Sequence, residues 1–218
     1  MDSLPFEILS RIIYFLKGPY GDDKLSAYAG ISISWQTAIE RCTFRTTRVK
    51  LLSKSLDQLR TILLTNDARR VQYVRTLSVD LGRTPLDEGP AAQQNEAISI
   101  DEKWWTAAIA RLFITVKDIL QQVEHPPNIH LSLGGYRGQT IDDRGSLSCD
   151  MPAKIPRLEC ITSMGIEDST PHIADADIVA LTDSLPSLKD CVIGLFDRFE
   201  WGRRFRIKRR KGNSGKPS

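Results

Sequence analysis

The chain has 218 residues, 41% hydrophobic and 26% charged, which is ordinary for one or two soluble globular domains. No apolar run approaches the roughly 18 residues of a membrane span, and Asp2 and Glu7 interrupt any secretion-signal pattern, so no membrane contact is expected and the expected compartment is nucleus or cytoplasm. The formal net charge of +3 hides an asymmetry: eight of the 30 basic residues and none of the 27 acidic ones follow residue 202, leaving 22 against 27, a net of −5, over residues 1–202.

The first predicted element is a helix. Ser3 is a candidate cap for its first turn, and Pro5 stands just inside, where a missing N–H costs nothing. Glu7 suits the positive end of the helix dipole. Ile8, Leu9, Ile12, Ile13, Phe15 and Leu16 then recur at helical spacing until Gly18-Pro19 stops the run. Gly21-Asp22-Asp23 offers a new cap, and Leu25, Tyr28, Ala29 and Ile31 carry a second short helix. Ser32 or Ser34 starts a third, with Trp35, Ala38 and Ile39 on one face. Three helices this short bury their surface poorly alone.

Leu4-Pro5-x-Glu7-Ile8-Leu9, then Ile12, Leu25, Ser34-Trp35 and Phe44, resemble an F-box, in particular those of filamentous fungi. The resemblance covers about a fifth of the chain. It implies docking on the Skp-type adaptor of a Skp–cullin–F-box ubiquitin ligase, and through it on a cullin. By position, the adaptor-binding residues would be Leu4, Pro5, Ile8, Ile12 and Leu25, facing outward. Trp35 and Phe44 would pack inward or toward the body. Phe44 stands where the family usually has Trp, and the loop from Lys17 to Asp23 is longer than is common. The plainer alternative is a helical hairpin that caps a larger domain.

Downstream, Arg45 to Leu52 alternates as a strand does, and Ser53 to Leu64 has helical spacing. Val71 to Leu81 reads as a strand, Gly82 to Asn95 as a polar loop, and Trp104 to Val123 as the longest helix, ended by Pro126-Pro127. Asn128 to Leu133 and Leu158 to Met164 read as strands, Ala174 to Ser184 as a helix and Leu188 to Leu195 as a last strand. Strands alternating with helices predict parallel pairing. Two lead-ins rhyme, Ile155-Pro156-Arg157-Leu158 and Leu185-Pro186-Ser187-Leu188. They resemble a degenerate leucine-rich repeat, although no full repeat unit is present; a compact open α/β layer is the alternative. The expected fold class is therefore α+β: an N-terminal three-helix F-box bundle over residues 1–48, an irregular α/β region resembling a short leucine-rich-repeat solenoid over 49–202, and a basic disordered tail over 203–218.

No stretch carries a catalytic, metal or cofactor signature. Cys42, Cys149, Cys160 and Cys191 have no C-x-x-C spacing. His125, His130 and His172 lack carboxylates or thiols at ligand spacing, and Asp175, Asp177 and Asp183 suit helix capping. Gly134-Gly135-Tyr136-Arg137-Gly138 lacks the lysine of a phosphate loop. Of Trp104 and Trp105, adjacent on a helix, one must face outward. Arg203, Arg204, Arg206, Lys208, Arg209, Arg210 and Lys211 form a candidate nuclear localisation signal. The expected function is a non-enzymatic F-box substrate receptor, without cofactor, that holds an unknown protein substrate. The rival is a nuclear scaffold or nucleic-acid-associated protein acting through its tail; nucleic acid is the lesser partner of the two.

Overall fold

The computed structural model describes residues 4–16, 25–65, 67–80, 94–134, 155–166, 175–195 and 203–208. Outside them lie the expected cap Ser3, the Gly18-Pro19 stop, the Asp22-Asp23 cap, most of the Gly82–Asn95 loop, Gly135 to Gly138, Cys149, His172 and Arg209 to Lys211.

Three helices come first: α1 (Phe6–Leu16), α2 (Leu25–Tyr28) and α3 (Ile33–Phe44). At the start of α1 the Pro5 carbonyl accepts from the Ile8 and Leu9 amides, so the proline sits where its own lack of an N–H is harmless. Ser32 caps α3, its hydroxyl accepting from the Trp35 amide at 3.3 Å. Leu9, Ile13, Leu25, Ala38 and Ile39 form a small core of their own, with Trp35 against it and stacked on Tyr28.

A six-stranded sheet follows, in the order β1 (Thr46–Lys50), β2 (Thr76–Asp80), β3 (Ile129–Gly134), β4 (Ile161–Ile166), β5 (Asp190–Leu195) and β6 (Arg203–Lys208). The first five strands are parallel, each beside its predecessor, and β6 returns antiparallel on β5. Helices α4 (Ser53–Leu64), α5 (Gln94–Leu120) and α6 (Asp175–Asp183) lie between strands. When every crossover steps the same way and has the same, right-handed sense, its helix returns to the same face. Accordingly Leu56, Leu59 and Leu63 of α4, Phe113 and Val116 of α5, and Leu181 of α6 share one core with two rows of the sheet. Those rows are Val49–Val79–Leu133–Ile166–Ile193 and Leu77–Leu131–Met164–Cys191.

The chain is thus a mixed α/β protein with a parallel sheet, as the alternation of elements predicts. Helix α4 runs over the expected residues, but other boundaries move. Val71 to Val74 were expected to open a strand. Instead Arg69–Tyr73 form a 3-10 turn, entered through left-handed Asp67 and Ala68, and β2 starts at Thr76. Val71 and Val74, three apart, are both buried, which is the spacing of a 3-10 helix rather than the alternation of a strand. Helix α5 begins at Gln94, ten residues before Trp104, and ends at Leu120. The expected boundary at residue 48 falls inside β1, whose pairing with β2 makes it part of the sheet. Arg203 to Lys208, expected to be disordered, pair with β5. A two-residue alternation inside the charge run suits a strand, and Phe205 and Ile207 pair in register with Ile193 and Cys191.

Candidate functional site

Two surfaces stand out, on either side of a buried ionic clasp. Glu40 of α3 is only 6% exposed. Its carboxylate accepts from Arg69 Nη2 at 2.6 Å and from Arg70 Nε and Nη2 at 3.2 and 3.1 Å. The Glu40 bond holds the Arg69 guanidinium above its already high ordinary pKa, against the opposing effect of burial. Arg70 also donates to the Ile62 carbonyl in α4 and lies over the Phe44 ring, which packs on the main core. The helical unit is therefore tied to the sheet by charge as well as by chain. Nothing local in the sequence marks Glu40, because its partners lie 29 and 30 residues away.

The first surface belongs to the helical unit. Nine of the thirteen large exposed apolar side chains among the described residues fall between Leu4 and Ile33. Phe15 is 79% and Ile33 78% exposed. Leu4, Pro5 and Ile8 are exposed and Ile12 is half-buried. Leu25 departs from its expected outward position. It is 5% exposed and belongs to the unit's own core, because α2 is a single turn whose main apolar side chain must close against α3. Trp35 and Phe44 pack inward and toward the body.

The second surface is the sheet face opposite the helices. Parallel sheets covered on both faces have strands that read as continuous apolar runs. These strands alternate instead, and most of the alternate positions are polar. One register row is Thr46–Thr76–His130–Ser163–Asp190, and the next is Arg48–Ser78–Ser132–Gly165–Val192. In β2 to β5 these positions are half-buried, flanked by fully buried neighbours on the core face. His130 Nδ1 lies 2.8 Å from Ser163 Oγ across neighbouring strands. A β-carbon at Gly165 would lie 3.4 Å from His130 Nε2, an ordinary contact distance, so the ring lies along β4.

Among the described residues no three His, Cys, Asp or Glu side chains gather as a metal-ligating group. Burial pushes the Cys160 thiol up to about 11 and raises Cys191 as well, which removes the thiolate needed for reactivity at neutral pH. His125 is exposed, and Asp177 is buried near the start of α6 while Asp183 is exposed at its end. The side chains of Trp104, Trp105 and Asp175 are outside those described. Arg203, Arg204, Arg206 and Lys208 of the candidate localisation signal lie in β6. Among the described residues no helix is long and apolar enough to cross a membrane. No protein-family model, curated protein or solved structure matches the chain.

Proposed function

We propose that the chain is an F-box substrate receptor, docking a Skp-type adaptor through its N-terminal helices and holding a target protein on the sheet domain. The carrying observation is the concentration of exposed apolar side chains on the helical unit, beginning at the Leu4-Pro5-x-Glu7-Ile8 opening. A surface helix normally confines its apolar residues to the one stripe that faces the core. Helix α1 carries Phe6, Ile8, Leu9, Ile12, Ile13, Tyr14, Phe15 and Leu16, yet buries only Leu9 and Ile13 in its own core. The rest is surface that a partner would cover, at roughly 1.5–3 kcal/mol for each large side chain fully buried.

In this reading Leu4, Pro5, Ile8 and Ile12 meet the adaptor, and Leu25 and Trp35 hold the helices in place from within. The singly wound parallel sheet supports the receptor half, since a one-sided solenoid resembling short leucine-rich repeats presents an open face to a partner. The hydroxyls of Thr76, Ser78, Ser132 and Ser163, with His130, are a hydrogen-bonding surface suited to protein capture without chemistry. Ubiquitin transfer would occur on other subunits, in the cytoplasm or the nucleus.

Co-expression with a recombinant Skp-type adaptor tests the reading. A complex stable to size-exclusion chromatography is expected, and Leu4→Asp with Ile8→Asp should abolish it while leaving the circular dichroism spectrum unchanged. Failure of the wild-type chain to bind the adaptor at about 10 μM, well above the concentration at which stable interfaces form, would overturn it.

A further inference from the structure

Between α1 and the N-terminal ends of the strands lies an open groove of about 900 Å³. Its wall carries Arg41, Arg45 and Arg75, the rings of Phe6, Tyr14 and Tyr73, and, among the described residues, no aspartate or glutamate. The convergence of the arginines is dictated by the fold. Arg41 and Arg45 are four residues apart at the end of α3, where side chains share a helix face. Arg45 and Arg75 immediately precede β1 and β2, and the Arg75 amide donates to the Arg45 carbonyl, so they stand side by side on neighbouring strands. Like charges at both spacings repel.

Each arginine has a partial explanation of its own. The negative end of the α3 dipole favours Arg41 and Arg45. The Arg41 guanidinium lies 4.6 Å from the Phe6 ring centre and 5.4 Å from that of Tyr73. Arg75 Nη1 donates to the Gln72 and Val74 carbonyls. None of these contacts is with a carboxylate: Glu40 is committed to Arg69 and Arg70, and Glu124 lies 3.9 Å from His125 at the groove's edge.

We propose that this groove is a docking site for an acidic peptide segment, with carboxylate or phosphate groups on the arginines and apolar side chains against Phe6 and Pro127. A volume near 900 Å³ is at the upper end of ligand pockets and holds a few residues rather than a polymer track. The site is independent of the adaptor surface. At about 100° per residue, Phe6, Ser10 and Tyr14 lie on one side of α1, and Leu4, Ile8 and Phe15 on the other.

Fluorescence anisotropy on the full chain, without adaptor, tests the proposal with four labelled probes of equal length. They are a Glu/Leu peptide, its phosphoserine/Leu counterpart, a Gln/Leu control and a single-stranded RNA. Saturable binding of either anionic peptide, at least tenfold tighter than the Gln/Leu control and weakened several-fold between 50 and 300 mM salt, is expected. The stronger of the two anionic peptides identifies the group recognised, carboxylate or phosphate. Arg45→Glu should weaken binding about tenfold or more, and Arg41→Gln is the second variant should the first melt early. Equal affinity for the neutral peptide, no effect of either variant that retains the wild-type melting temperature, or tighter binding of RNA than of both peptides would each overturn the proposal. The adaptor assay can fail without altering any of these outcomes.

Discussion

Helices α1 and α5 draw on the same residue types and meet water in opposite ways. On α5, Ile109, Leu112, Phe113, Val116 and Ile119 all point into the sheet core, and Ile114 is the only large apolar side chain exposed among the described residues of that helix. Its outer face carries Arg111 and Asp118, which pair across to Asp57 and Arg60 of α4. On α1, two residues face the core, and Phe6, Ile8, Tyr14, Phe15 and Leu16 are exposed. Folding of this chain alone accounts for the pattern of α5. It leaves most of the apolar content of α1 without an internal use. A residue type therefore says little about its job until the number of faces its element can cover is known.

The comparison implies that the two helices respond differently to truncation. The largest effect is expected at Phe113, which is 0% exposed: Phe113→Ala should cost about 3–5 kcal/mol in urea unfolding. A loss below about 1 kcal/mol would mean that α5 is not the buttress of the sheet. Next comes the clasp between the two regions. Glu40→Ala leaves the Arg69 and Arg70 charges without their carboxylate, at a cost of about 3 kcal/mol. That is the lower end of the range for buried pairs, because both guanidinium groups are partly exposed and can regain water. Amide exchange should accelerate in residues 69–73 and at the end of α3 while the centre of the sheet stays protected. Uniform acceleration would show that the helical unit and sheet unfold as one.

Much of this architecture is legible in the sequence, and the illegible parts have a common cause. Period-two alternation in Thr76 to Asp80 and Ile129 to Leu133 gives both the strands and their single buried face. The helical spacing of Leu56, Leu59 and Leu63 gives α4. What local pattern does not carry is partnership across the chain. Glu40 reads as a surface acid until the turn at Asp67 and Ala68 brings Arg69 and Arg70 against it. The adjacency of Arg45 and Arg75 depends on the β1–β2 register, although Arg41 and Arg45 already share a helix face in the sequence. The F-box resemblance puts Leu25 outward by position, and the single turn of α2 is too short for a periodic signal to show that it is buried. In β6 the alternation of Phe205 and Ile207 was visible but lay within a charge run.

A smaller effect separates the two regions by pH. Cys160 is buried in the sheet core, and desolvation raises its thiol from 9.0 to about 11. Between those values the unfolded chain loses the proton and the folded chain keeps it. The associated stability is therefore complete below pH 9 and is lost as the pH rises toward 11. The amount is on the order of 2–3 kcal/mol. Relative to Cys160→Ala, the wild-type chain should lose stability between pH 8.5 and 10.5 in urea titrations. Parallel curves for the two proteins over that range would place the thiol in contact with water.

The smallest expected effect bears most directly on α1. Ile8 and Phe15 lie on its outer side, 43% and 79% exposed, so Ile8→Ser and Phe15→Ser remove little that the folded chain uses. Each should change the unfolding free energy by no more than about 0.5 kcal/mol, the usual range for surface positions. The double variant should also be less prone to self-association, because an exposed apolar patch is attractive to any other. The same substitutions made inside the small core, at Leu9 or Ile13, should unfold α1. If Phe15→Ser instead destabilises the chain by 2 kcal/mol or more, Phe15 has a partner within its own molecule. The contrast with α5 would then be one of degree, and the case for an external partner on that face would fall with it.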